Sequence, residues 1–354
     1  MRLKIDIFSD IDFNYYQHIN HFLYYGLKDK YEVRFLYRFY MHHPFEKKYI
    51  NKLLKLFHVK KKKGEEDFDQ SIADSIFRII NIPHINSFFD RINSYIVRKQ
   101  IGSVGDICIT FVPSPSLHYV LEKYKKKIYY CVHDSKQQGY GNTIINFEKK
   151  IASSYDYIFC DNEIVLSRLL DGDRKHHNLL DDNQRKGSYF FVDAPIPDPF
   201  FNIEPGIEYD FVYFGSIHEN IDFNVFYQLA QNYKILIVSN ECCKLQTHDN
   251  LYFESATSDI NKLARHISTA RCILLPYANT EFNNTVTPAK INQSFATGLP
   301  IVCSNDFFVV KYNLISLHDI MDSGFLNIEW HRKDVSSLKC SDIINKIESI
   351  IVSD

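Results

Sequence analysis

Short apolar runs alternate with segments of helical period along almost the whole sequence, and few folds accept that rhythm. Leu3–Phe8, Val33–Tyr37, Asp106–Val112, Ile128–Val132, Tyr157–Cys160 and Tyr189–Val192 read as strands. Between the first two, Ile19, Phe22, Leu23 and Leu27 share one helical face. Strands that are apolar on both faces and separated by helices predict a parallel sheet covered on both sides. A second series follows: Phe211–Phe214, Ile235–Val238, Leu251–Phe253, Cys272–Leu275 and Ile301–Cys303. Asp342–Ile351 reads as a closing helix, with Ile343, Ile347 and Ile351 at helical spacing. Between the two series, Ala194–Pro205 carries prolines at 195, 197, 199 and 205, a linker composition. The expected organisation is a βα domain over 1–200, a second over 201–340 and a C-terminal helix over 341–354. Ligands of such sheets bind outside the carboxyl ends of the strands, so both domains are expected to turn their loops toward a shared cleft.

Other features narrow the function. A length of 354 residues suits two domains. Glycine is scarce, 12 in all, and neither G-x-G-x-x-G nor G-x-x-x-x-G-K-[ST] occurs, which argues against dinucleotide and P-loop chemistry. The net charge of −2 excludes a protein that is a polyanion binder throughout. It is unevenly spread: 30 Lys+Arg against 25 Asp+Glu up to Phe200, then 11 against 18. The two halves are therefore expected to meet different partners. Cys108, Cys131, Cys160, Cys272 and Cys303 lie in or beside apolar runs and no C-x-x-C occurs, which fits buried, reduced thiols in a cytoplasmic protein. The N-terminus lacks a signal-peptide core, and no run approaches the ~18 apolar residues of a membrane span, so membrane contact is expected to be peripheral.

Lys47–Lys63 interrupts the rhythm. Ile50, Leu53, Leu54 and Phe57 follow i, i+3, i+4, i+7, among eight lysines and no acid. Three readings stand: a core-packed helix with a solvated lysine loop, docking on an anionic membrane surface, or nucleic-acid binding, the last being the least favoured. The acidic run Glu65–Asp69 follows directly and is able to fold back on the lysines.

The most specific text is in the second half. It runs from YDFVYFGSIHENIDFNVFYQLAQN at 209–232 to Thr287-Pro288-Ala289-Lys290-Ile291-Asn292-Gln293-Ser294-Phe295-Ala296-Thr297-Gly298-Leu299-Pro300-Ile301-Val302. This order resembles the donor-binding domain of GT-B glycosyltransferases, in particular the family-4-like branch that builds teichuronic acid and exopolysaccharides. IYYCVHD at 128–134, EKKIASSYDYIFCDNEIV at 148–165 and VDAPIPDPFF at 192–201 agree more weakly with the acceptor domain and linker. The resemblance implies an α/β GT-B fold, two Rossmann-like βα domains facing across a cleft. It also implies a nucleotide-sugar donor, no resident metal and no other cofactor.

Site residues follow residue by residue. Gly215, Ser216, Thr287, Lys290 and Gln293 are the expected donor-binding set: helix-terminal N–H groups and the lysine for the diphosphate, Gln293 for the ribose. Glu281, Asn283 and Asn284 are expected in the loop that contacts the transferred sugar. For the catalytic base the candidates are Asp134, Asp12 and Asp10, on loops after acceptor-domain strands; the alternative for each is loop capping. Asp10-Ile11-Asp12 also spells D-x-D, but in the acceptor domain, and no metal is expected there. His18 and His21, at i, i+3, are read as helix surface. Departures from the pattern leave stereochemistry open: Thr285 and Gln293 stand where retaining members carry paired glutamates, and Gly215-Ser216-Ile217-His218 where an Arg and a Lys occur.

The expected function is glycosyl transfer to a glycan or lipid-linked glycan in surface-polysaccharide assembly. The expected place is the cytoplasm, with peripheral attachment to the inner face of the membrane. A DNA-modifying glycosyltransferase and a non-catalytic GT-B binding subunit are the alternatives.

Overall fold

The structure is a computed structural model. It describes residues 2–13, 18–37, 39, 74–82, 84–132, 135, 141–152, 154–161, 163–170, 188–192, 194–204, 206–257, 259–280, 289–325, 330 and 332–352. The chain divides into one unit of Met1–Asp193 with Ile350–Asp354 and another of Ala194–Ser349.

In the first unit the elements run β1 (Lys4–Ser9), α1 (Ile19–Leu27), β2 (Glu32–Tyr37), β3 (Ile76–Arg78), α2 (Ser87–Ile101), β4 (Ile107–Thr110), α3 (Pro115–Leu121), β5 (Lys126–Cys131), α4 (Gly141–Ala152), β6 (Tyr157–Cys160), α5 (Glu163–Leu170) and β7 (Ser188–Phe191). The seven strands form one parallel sheet in the order β3-β2-β1-β4-β5-β6-β7. Its central strands are buried on both faces, as the continuous apolar runs require. β3 has no counterpart in the sequence reading.

Asp6 stands in the middle of β1, fully buried. Register places Arg34 of β2 beside it. The guanidinium grips the carboxylate twice, at 2.7 Å each, and donates onward to the carbonyls of Ile101 (2.9 Å) and Ser103 (2.7 Å). The same carboxylate accepts from the Gly105 N–H at 3.0 Å and from the Tyr124 hydroxyl. This knot ties β1 and β2 to the end of α2, the turn into β4 and the turn after α3. A Cβ on Gly105 would lie 2.9 Å from the Lys4 carbonyl, so only glycine fits against the knot.

The second unit runs β8 (Tyr209–Phe214), α6 (Phe223–Ala230), β9 (Ile235–Val238), β10 (Leu251–Glu254), α7 (Ile260–Ser268), β11 (Ala270–Leu275), α8 (Ala289–Thr297), β12 (Ile301–Cys303), α9 (Asp306–Tyr312), β13 (Ile315–Ser316), α10 (Leu317–Ser323) and α11 (Cys340–Val352). Its six strands are again all parallel, in the order β10-β9-β8-β11-β12-β13. β13, two residues long, also escaped the sequence reading. Side chains of Asp222, Asp259, Asn305 and Ser316 cap α6, α7, α9 and α10 through hydrogen bonds to free N–H groups.

The proline-rich segment is anchored within the second unit. Ile196 is buried and exchanges backbone hydrogen bonds with Leu338 and Cys340, both 2.8 Å. From Ile350 onward the chain counts with the first unit, where Lys126 donates to the Ile351 carbonyl at 2.8 Å.

Breaking a buried ion pair from one side leaves a charge without compensation. Arg34→Met is therefore expected to destabilise the first unit by about 3–5 kcal/mol, read from denaturant unfolding; a loss below about 1 kcal/mol, the value of an exposed pair, would show that solvent reaches Asp6.

Candidate functional site

Both sheets share one strand order, in which the direction of winding reverses between β1 and β4 and between β8 and β11. Loops leaving adjacent strands part at that point and open a crevice at the carboxyl ends.

In the second unit β8 delivers Gly215 to that crevice. Its φ of +127° is a conformation that L side chains rarely adopt. A Cβ there would fall on Nζ and Cε of Lys290, so the lysine lies directly over the Gly215 backbone. Lys290 is the second residue of α8, and its ammonium also sits 4.8 Å from the centre of the Tyr213 ring. No carboxylate pairs with it among the described residues. Burial alone lowers its pKa to about 8.

The loop beneath is fixed from β9. Ile217 donates its N–H to Glu241 Oε2 at 2.6 Å, and Lys244 donates to the Ile217 carbonyl while pairing with Glu241 at 3.5 Å. Tyr213 donates its hydroxyl to the Ser216 carbonyl at 2.5 Å. Gly215 spends its own N–H on the Val238 carbonyl at 3.0 Å. What Gly215 provides is therefore room for the Lys290 side chain, not a donor. Ser216 is exposed at the tip. Gln293 lies one turn along α8 from Lys290, partly buried.

His218 belongs to this cluster and was not among the sequence candidates. Partial burial first, then the Lys290 ammonium, hold its imidazole below the ordinary value. The signal was its place after β8, where the resemblance has basic residues. Thr287, Glu281, Asn283 and Asn284 lie outside the described residues.

In the first unit, Asp10 and Asp12 follow β1 and are partly buried. The Ser9 hydroxyl accepts from the Ile11 N–H (3.0 Å) and from Asn20 Nδ2 (2.7 Å), which fixes this turn against α1. His21 corrects the helix-surface reading. It is buried, stacked on Phe35 at 5.2 Å and packed against Phe13 at 5.5 Å. Burial lowers its pKa to about 4, so the imidazole is neutral near pH 7. Asp134 and Lys47–Lys63 lie outside the described residues. Among the described residues no group of three or more His, Cys, Asp or Glu is placed to hold a metal ion, and no helix is long and apolar enough to cross a membrane.

No protein-family model matches the sequence, and a search of curated proteins returns no match. Solved structures do match end to end. A glycosyltransferase from Rickettsia africae superposes with a TM-score of 0.56 at 12% identity, covering 99% of this chain and 98% of that one. The fold is GT-B. OtsA, in its apo structure, gives 0.55 at 9% identity, with 99% of each chain covered. HepE from Anabaena, in complex with UDP and glucose, gives 0.51 at 9% identity, covering 99% and 95%.

A partly desolvated ammonium with an aromatic ring beside it but no carboxylate partner among the described residues costs the folded state. Lys290→Met keeps the stem and removes the charge. Its thermal midpoint is expected to rise, by about 2–4 °C for each kcal/mol relieved; a fall would mean that the ammonium has a stabilising partner.

Proposed function

We propose that this chain is a glycosyltransferase of the family-4-like GT-B branch. It moves a sugar from a nucleotide-sugar donor to a glycan or lipid-linked glycan, in the assembly of a surface polysaccharide. The observation that carries the proposal is Lys290: a cation without an acid partner among the described residues, at the start of a helix, poised over a glycine at the switch point of a GT-B sheet. That is a site designed for an anion that is absent from the protein itself. HepE, similar in fold, holds UDP and glucose, which supports a nucleoside diphosphate as the anion.

The chemistry follows from the leaving group. As the bond from the sugar carbon to the diphosphate oxygen breaks, negative charge grows on the diphosphate. Lys290, the first N–H groups of α8 and the Ser216 N–H stabilise it in place. Gln293 binds a ribose hydroxyl without adding charge. Glu281, Asn283 and Asn284 contact the transferred sugar. A carboxylate among Asp134, Asp12 and Asp10 takes the proton of the acceptor hydroxyl as the new glycosidic bond forms. Fixed positive charge on the protein supplies what a metal would otherwise supply, so transfer should survive EDTA; complete loss on chelation, restored by Mg²⁺, would overturn that part.

Titration calorimetry with nucleoside diphosphates tests the site. Lys290→Ala should weaken binding by about 1–3 kcal/mol, the range for a lost charge-assisted hydrogen bond. The pH dependence has a definite sign. In the empty site Lys290 loses its proton near pH 8, and a bound diphosphate restores it. Affinity should be flat between about pH 7, above the ionisation of the ligand's terminal phosphate, and pH 8, then fall by up to about tenfold per pH unit, and the Lys290→Ala protein should lack that fall. If no nucleoside diphosphate binds, or if Lys290→Ala binds as tightly as the parent, the proposal fails.

A further inference from the structure

α2 is built inside out. Its buried face carries Asp90, Asn93 and Ser94, followed by Val97 and Ile101. The polar members are fully engaged. The Asp90 carboxylate accepts from the Ser116 hydroxyl at 2.9 Å and lies 2.9 Å from His84 Nδ1. Asn93 donates to the Ser116 hydroxyl at 2.9 Å and accepts from the Ile82 N–H at 2.9 Å. Ser94 donates to the Asp90 carbonyl at 2.8 Å. The opposite face, in solvent, carries Phe88, Phe89, Ile92 and Tyr95; Phe88 is 66% exposed and Tyr95 61%.

The preceding segment extends this surface. Gln100 exchanges hydrogen bonds with the Ile80 main chain at 2.8 and 2.7 Å, which pins that strip beside the helix. Ile80 is left 68% exposed, with Ile82 and Ile85 exposed beyond it. Of sixteen exposed large apolar side chains among the described residues, seven fall between Ile80 and Tyr95. Scattered ones are ordinary on any protein, but a contiguous set this size marks a contact surface.

The charges around it select the partner. Arg78, Arg91, Arg98 and Lys99 are exposed, while Asp90, the only acid from Arg78 to Ile101, is buried and engaged. Lys99 holds its ammonium 5.6 Å from the Tyr95 ring centre, at the end of the apolar stripe. Apolar residues flanked, within Arg78–Ile101, by exposed cations and no exposed acid, with an aromatic ring at the border, fit an anionic lipid surface: rings and isoleucines enter the acyl boundary while the cations meet headgroups. A second copy fits worse, because a two-fold contact would set the same cations against each other. We propose that the Ile80–Lys99 face docks this protein on anionic phospholipid membrane.

The test uses the full chain and vesicles of phosphatidylcholine with or without phosphatidylglycerol, free of nucleotide and glycan, so its outcome does not depend on glycosyl transfer. One variant combines Phe88→Ser, Ile92→Ser and Tyr95→Ser; another combines Arg91→Gln, Arg98→Gln and Lys99→Gln. All six positions are exposed, so both should keep the parent's thermal midpoint, and both leave Lys47–Lys63 intact. The parent should co-sediment with the anionic vesicles only, less at high salt, and each variant should lose about tenfold or more in partitioning. Trp introduced by Phe88→Trp should shift its emission to the blue on anionic vesicles. The proposal is overturned if the parent ignores anionic vesicles, or if either folded variant partitions like the parent. It is also overturned if the serine variant instead abolishes self-association in analytical ultracentrifugation.

Discussion

A parallel strand in the middle of a sheet has no face to give to water. Everything else in this protein follows from that constraint. Helices must cover both sides, so the chain alternates; polar chemistry is driven out of the strands and onto the loops at their ends. Where a charge does enter, as Asp6 does, it must bring its own solvent. Arg34, the Gly105 N–H and the Tyr124 hydroxyl provide it. The carbonyls of Ile101 and Ser103 complete the guanidinium's shell in turn. One buried carboxylate thereby fixes the position of five separate pieces of backbone.

Lys290 is the contrasting case. Burial lowers its pKa, though it is less enclosed than Asp6, and no carboxylate balances it among the described residues. Asp6 is matched at folding; Lys290 is matched by no carboxylate of the described residues. If the proposed diphosphate binds there, stability and binding are opposed at this one side chain. Gly215 shows the same logic in backbone form, since its missing side chain is the room in which the ammonium lies.

How much of this the sequence carries depends on how local the cause is. Strands buried on both faces announce themselves as apolar runs, and eleven of the thirteen were legible. β3 and β13 were not, because three and two residues are too few to show a pattern. The motif set Gly215 and Lys290 together, and the structure places one over the other. That Gly215 makes room for a side chain, and that His218 joins the cluster, needed the packing of a loop against Lys290, far along the sequence. His21 misled for a similar reason: two histidines one turn apart look like a wet helix face, but Phe13 and Phe35 close over the second. α2 shows the limit most plainly. Its sequence has one polar and one apolar stripe, and only the fold tells which of them faces Ser116.

The return of the chain to the first unit sets an order of assembly. Ile351 is fully buried there and its carbonyl is held by Lys126. A growing chain that has emerged only as far as Asp193 lacks this piece, and obtains it after the whole intervening unit has been synthesised. The first unit is therefore completed only by residues made after the whole of the second. Loss of Ile351 would thus be felt far back in the sequence, in the unit that holds Lys126.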